Sequence, residues 1–217
     1  FKKRSVDFIV DSSKNPLWVR DQIDNNSSRD YIIKTILIYK TPLEYAYSLF
    51  KRGDIKGWDT GWIKTHTRIL GLFDDLITVK YQDIAKNPAR KLKTLCEKLG
   101  IDYFEGKEEF WKNQHDHFLF GSNTVRNSDH QVYYADQYQK DKLDCLKRTL
   151  DLKNKRLQDV LKVLEVYEID GPDRIPQSIV EMKKNLGKFS FLDKLVLRTT
   201  GTHNYKINRF FAKIKKI

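Results

Sequence analysis

Two apolar, β-branched segments, each followed by a helical one, constrain the fold of this chain more than any other feature of its sequence. Residues 32–39 (IIKTILIY) and 76–81 (LITVKY) have the composition of strands. The first is so continuously apolar that we expect it to be covered on both faces. Residues 43–52 and 62–73 have the pattern of helices. With a short strand predicted at residues 6–10, this alternation predicts an α/β fold of three layers, a mainly parallel sheet flanked by helices.

Further helices are predicted in the second half of the chain. One begins at Asn87 and Pro88 and ends at Gly100, which suits a helix C-terminus. Cys96 lies on the apolar stripe of this helix, which predicts a buried thiol. Residues 142–167 have the pattern of one or two helices.

The excess positive charge is concentrated at one end of the chain. The 217 residues contain 41 Lys and Arg against 29 Asp and Glu, a net charge of +12. Residues 181–217 hold ten basic and two acidic side chains, whereas residues 1–180 hold 31 and 27. We therefore predict a domain over 1–180 and a basic C-terminal extension over 181–217. The extension either contacts an anionic membrane surface or polyanionic acceptor, or packs as a solvated basic helix pair.

Composition excludes several classes of protein. A hydrophobic content of 40% indicates a packed core, and no apolar segment approaches the roughly 18 residues of a membrane span. Two cysteines do not make a disulfide framework, which favours a reducing compartment. The five histidines have no metal-ligand spacing with carboxylates, so no metal site is predicted. The net charge leaves a nucleic-acid- or polyanion-binding module without catalysis as the alternative function, although no nucleic-acid-binding signature is present.

Two basic residues stand where predicted strands end. Lys14 follows the strand at 6–10, Lys40 follows the strand at 32–39, and Ser48 lies eight residues beyond Lys40. Open α/β sheets bind ligands at the carboxyl ends of their strands. A lysine there and a hydroxyl on the following helix would both face an anion, although single residues of these types are more often solvated surface. Lys40 and Ser48 are therefore candidates for a phosphate site.

Four segments, in the same order along the chain, resemble the sulfotransferase family that uses 3′-phosphoadenosine 5′-phosphosulfate (PAPS). Residues 38–48 resemble its 3′-phosphate-binding segment. Residues 10–16 (VDSSKNP) resemble its Asp-Ser-Ser-Lys-x-Pro segment, and residues 79–101 resemble a Tyr-Glu-Asp-Leu strand end with the following helix. Residues 117–126 resemble the late loop that closes over the nucleotide. The order of the four matches makes the joint resemblance more specific than any one of them.

The resemblance implies a role for each matching residue. Lys40, at the position where the family usually has Arg, and Ser48 would hold the 3′-phosphate, and Tyr81 would lie near the nucleotide. Lys14 would stabilise the negative charge that grows on the leaving phosphate. Asp11 is the nearby candidate for the base that deprotonates the acceptor, although a strand-end Asp more often caps a turn. Three residues of the late loop would also bind the nucleotide: Ser122, Asn123 and Arg126.

The activity implied is transfer of a sulfuryl group from PAPS to an acceptor hydroxyl or amine by in-line displacement, without a metal, on a P-loop NTPase-like sulfotransferase fold. The acceptor would be a carbohydrate, a tyrosine, a lipid or a small phenol or alcohol, and nucleic acid is not an expected partner. No segment matches the family's 5′-phosphosulfate loop, so we expect that loop to precede Phe1 and the chain to be a fragment or processed form. The cytoplasm is the favoured location, with the Golgi lumen or a membrane-associated site as the alternative.

Overall fold

A computed structural model describes residues 15–25, 32–109 and 140–188, and the chain divides into two compact units. The larger unit is Lys34–Gly187, and the first helix, α1 (Pro16–Asn25), belongs to the other. Pro16 begins α1, where a missing N–H costs nothing. The ion pair between Arg20 and Asp24, with Nη2 and Oδ1 2.8 Å apart, joins successive turns of α1. The strand predicted at residues 6–10 lies outside the described residues.

A small parallel sheet forms the centre of the larger unit. Strands β1 (Thr35–Tyr39) and β2 (Leu76–Lys80) pair in register, with Tyr39 opposite Lys80. A bridge between Thr78 and Glu168 adds a third parallel segment on the other edge of β2. The Thr78 N–H donates to the Tyr167 carbonyl at 3.0 Å, and the Ile169 N–H donates to the Thr78 carbonyl at 3.1 Å. The described residues therefore confirm an α/β structure with parallel pairing.

The two strands differ in how fully they are covered. Every residue of β2 from Leu76 to Val79 is buried. On β1 the side chains of Ile36 and Ile38 are 38% and 58% exposed, while Tyr39 is buried. The prediction that the first strand is covered on both faces is therefore wrong for β1.

Seven helices of the larger unit are described. The helix predicted at 43–52 is confirmed, and the one predicted at 62–73 begins four residues earlier than expected. Residues 142–167 form two helices, and a short helix directly after β2 was not predicted. The bounds of the seven are α2 (Pro42–Phe50), α3 (Trp58–Leu72), α4 (Tyr81–Lys86), α5 (Pro88–Leu99), α6 (Lys140–Thr149), α7 (Lys155–Val166) and α8 (Gln177–Leu186).

The ends of two of these helices follow from local chemistry. Helix α5 begins at Pro88, and Gly100 ends it with a φ of 68°, a left-handed conformation that glycine adopts without strain. Asn154 caps α7 by accepting the Leu157 N–H on its side-chain oxygen at 3.2 Å. The buried face of α5 carries Cys96, as its apolar stripe predicts, and neither this thiol nor Cys145 forms a disulfide.

Helix α8 crosses residue 180, where the basic extension is predicted to begin. Gly71 of α3 and Gly187 approach so closely that neither has room for a Cβ atom. Lys183 is buried, its Nζ donating to the Asp74 carbonyl at 2.8 Å and lying 4.7 Å from the centroid of the Tyr167 ring. The first residues after 180 therefore belong to the larger unit, while the division into 1–180 and 181–217 stays a prediction. Across residues 15–25, 32–109 and 140–188, every helix is too short or too polar to cross a bilayer.

Candidate functional site

The predicted anion-binding residues gather where β1 and β2 end. Lys40 directly follows β1 and Tyr81 directly follows β2, and the pairing of Tyr39 with Lys80 sets the two side by side. Lys40 Nζ lies 4.8 Å from the centroid of the Tyr81 ring. This is a cation–π contact at the carboxyl edge of a parallel sheet, the edge at which such sheets bind ligands.

Lys40 and Ser48 are in direct contact across eight residues of sequence. Lys40 Nζ donates to Ser48 Oγ at 3.1 Å. Ser48 Oγ in turn donates to the main-chain carbonyl of Glu44 at 2.9 Å, as hydroxyls in helices often do. The ammonium and the hydroxyl thus converge on one point beside α2. The two residues predicted to hold a phosphate are brought together.

The environment of Lys40 disfavours its own charge. Burial lowers the pKa of Lys40, and the nearby charges of Arg52 and Lys51 lower it further, while Glu44 acts in the opposite direction. No carboxylate of a described residue forms an ion pair with Lys40. An anion bound between Lys40 and Ser48 would favour the charged form of Lys40.

Other cations at the same edge are already neutralised. Lys80 Nζ lies 3.5 Å from carboxylate oxygens of Glu165 and Glu168. Lys91 pairs with Asp83, its Nζ and Oδ2 3.4 Å apart, and also with a second carboxylate, that of Asp170. These ion pairs raise the pKa of Lys80 and Lys91 against the effect of burial. Among the described residues, Lys40 is a strand-end cation that forms no ion pair with a carboxylate, unlike Lys80.

A residue that the sequence reasoning missed stands at the centre of the site. Glu44 forms a capping box with Thr41: Thr41 N–H and Oγ1 donate to Glu44 Oε2 at 2.8 and 2.9 Å, and Glu44 N–H donates to Thr41 Oγ1 at 3.4 Å. The other carboxylate oxygen, Oε1, is buried without a hydrogen-bond partner among the described residues. The Thr41-x-x-Glu44 spacing is the signal that could have found it.

Aromatic residues hold the main chain of the site. Trp62 Nε1 donates to the Lys40 carbonyl at 2.9 Å, and the Trp62 ring stacks on His66 with centroids 4.2 Å apart. His66 Nδ1 hydrogen-bonds the Trp62 carbonyl at 2.7 Å, and burial lowers the pKa of His66 to about 4. Trp58, Trp62 and Tyr47 are all buried. They are core residues, and the hydrogen bond from Trp62 holds the main chain at Lys40.

The remaining predicted site residues lie outside the described ranges, and their place beside Lys40 and Ser48 stays a prediction. They are Asp11, Lys14, Ser122, Asn123 and Arg126. Within the described ranges, no group of three His, Cys, Asp or Glu side chains is arranged to hold a metal ion.

Comparison with known proteins gives no information on this site. No protein-family model, curated protein or solved structure matches the chain.

Proposed function

We propose that the chain is a sulfotransferase domain that moves a sulfuryl group from PAPS to an acceptor hydroxyl or amine. The observation that carries the proposal is the 3.1 Å contact between Lys40 Nζ and Ser48 Oγ at the carboxyl edge of the sheet. The resemblance of residues 38–48 to a 3′-phosphate-binding segment requires these two side chains to meet.

The described residues would serve the nucleotide end of the reaction. Lys40 supplies a charge-assisted donor to the 3′-phosphate, and the Ser48 hydroxyl rotates to donate a second hydrogen bond. Tyr81 borders the same point and presents a ring face to the ammonium. Lysine offers a point charge rather than the bidentate hydrogen bonds of arginine, so phosphate binding also depends on the hydroxyl beside it.

The chemistry itself is assigned to residues outside the described ranges, on the resemblance alone. The Lys14 ammonium would stabilise the charge that develops on the leaving phosphate as the acceptor attacks sulfur in line. Asp11 would take the acceptor proton, and the late loop would close over the nucleotide through Ser122, Asn123 and Arg126. The acceptor proposed is a carbohydrate, a tyrosine, a lipid or a small phenol or alcohol. The proposal includes the three-layer sulfotransferase fold and a cytoplasmic location.

Calorimetric titration of the full chain with adenosine 3′,5′-bisphosphate tests the proposal. We expect Lys40→Ala and Ser48→Ala each to weaken binding by about tenfold or more, since a hydrogen bond to a charged group contributes about 1.5–3 kcal/mol. Lys93→Ala removes the same charge from an exposed site on α5. Thr67→Val removes a helix hydroxyl bonded, like Ser48, to the carbonyl four residues earlier. Both controls should leave the affinity unchanged.

Two results would contradict the proposal. One is that the wild-type chain does not bind the nucleotide, and the other is that all four variants weaken binding equally. If the chain binds single-stranded RNA or heparin tightly and does not bind the nucleotide, the result would support the alternative, a nucleic-acid- or polyanion-binding module without catalysis.

A further inference from the structure

Glu44 carries the feature of the site that phosphate binding leaves unexplained. The side chain is only 4% exposed, and its Oε1 is buried with no hydrogen-bond partner among the described residues. The capping box is already complete through Oε2. Buried carboxylate oxygens are nearly always paired with a donor, so an unpaired one needs an explanation.

The position of Glu44 ties it to the phosphate site. Its main-chain carbonyl accepts the Ser48 hydroxyl at 2.9 Å, and Ser48 receives Lys40 Nζ. Its Oε2 accepts the N–H of Thr41, the residue after Lys40, at 2.8 Å. Its charge opposes the lowering of the Lys40 pKa by burial. The carboxylate nevertheless makes no ion pair with Lys40. The site therefore combines a cation, a hydroxyl and an acceptor that lacks a donor.

We propose that Glu44 Oε1 accepts a hydrogen bond from the ribose 2′-hydroxyl of a nucleotide whose 3′-phosphate is held by Lys40 and Ser48. This inference rests on the proposed function. A carboxylate beside a phosphate repels it unless a donor on the ligand lies between them. In a ribonucleoside 3′-phosphate, the 2′-hydroxyl is on C2′, next to the carbon that carries the phosphate, and it is the hydroxyl donor nearest to the phosphate.

Binding in this way requires a local rearrangement. Oε1 has no exposed surface in the free chain, so the ligand has to move a neighbouring side chain aside. A phosphate would replace the contact between Lys40 and Ser48. The consequence is selection for a ribonucleotide that is phosphorylated at O3′ and free at O2′, against its 2′-deoxy counterpart.

Paired calorimetric titrations of the full chain test the inference. The wild type should bind adenosine 3′,5′-bisphosphate about tenfold more tightly than 2′-deoxyadenosine 3′,5′-bisphosphate. Glu44→Ala should bring the ratio of the two affinities close to one. Glu97→Ala is the matched control, because it removes a carboxylate from an exposed site on α5, so the ratio should survive.

A second variant keeps the test valid if Glu44→Ala does not fold. Glu44→Gln preserves the capping bond through its amide oxygen and places an NH₂ where Oε1 stood. The wild type should discriminate against the 2′-deoxy-2′-fluoro nucleotide, whose fluorine cannot donate. Glu44→Gln should reduce that discrimination severalfold, because its NH₂ cannot accept from the 2′-hydroxyl and can only donate to it.

The failure of this inference is distinguishable from the failure of the proposed function. Equal affinity of the wild type for the ribo and 2′-deoxy nucleotides, or a preference that persists in Glu44→Ala, overturns the role of Glu44 while nucleotide binding stands. If the wild-type chain binds neither nucleotide, the proposed function and the inference are both overturned.

Discussion

Replacing Gly71 by alanine should destabilise the larger unit, because the chain passes too close to α3 for a side chain there. A Cβ on Gly71 would lie 2.8 Å from the Cα and 2.9 Å from the carbonyl carbon of Gly187. Both are backbone atoms that cannot rotate away, so α3 and the end of α8 must separate. Overpacking lowers the free energy of unfolding by up to about 3 kcal/mol. The higher helix propensity of alanine offsets about 1 kcal/mol of this loss.

We therefore expect Gly71→Ala to lower the free energy of unfolding by about 2 kcal/mol and Tm by about 4–8 °C. Gly61→Ala is the matched control in the same helix, since its Cβ would lie 3.5 Å from the Tyr45 hydroxyl, an ordinary contact. That variant should be as stable as the wild type or up to about 1 kcal/mol more stable. Denaturant unfolding followed by far-UV circular dichroism measures both. Equal stability of the two variants would refute the close packing of α8 on α3.

Three further substitutions test the site and its support. Lys40→Met should raise the free energy of unfolding of the ligand-free chain at neutral pH. Burial lowers the pKa of Lys40, so its charge destabilises the folded chain at any pH below that pKa. Denaturant unfolding without nucleotide measures this. The free energy of unfolding of the wild type should fall by about 3 kcal/mol as pH falls from 6.5 to about 4, because over this range His66 is protonated mainly in the unfolded chain. His66→Gln should remove this pH dependence, and denaturant unfolding at both pH values measures it. Tyr39→Phe should lower the free energy of unfolding by about 2 kcal/mol, because Glu168 loses a donor at 2.5 Å; thermal melts report it.

Much of the fold was predictable because its signals are local. Helix α5 begins at Pro88 and ends before Gly100, as expected, because the conformational preferences of proline and glycine are properties of the single residue. Helix α3 was predicted to begin at residue 62. It begins at Trp58, after Gly57 in a left-handed conformation, because burial of Trp58 extends it by another turn. The exposure of Ile38 could not be predicted, since composition indicates a strand but not what covers it.

The candidate site was half predictable. The spacing of Lys40 and Ser48 indicated their meeting because a strand end and two helical turns fix the distance. Glu44 was missed, although Thr41-x-x-Glu44 is a capping-box pattern, because that pattern predicts only a helix start. The contact of Trp62 with the Lys40 carbonyl joins residues 22 apart in sequence, so only the packed structure reveals it.

The most direct test of the central claim is whether binding depends on the 3′-phosphate. The wild-type chain should bind adenosine 3′,5′-bisphosphate about 100-fold more tightly than adenosine 5′-monophosphate, since Lys40 and Ser48 each donate to the additional phosphate. In Lys40→Met the difference should shrink by about tenfold or more. Equal affinity for the two nucleotides in the wild type, measured by the same calorimetry, would contradict a 3′-phosphate site at Lys40 and Ser48.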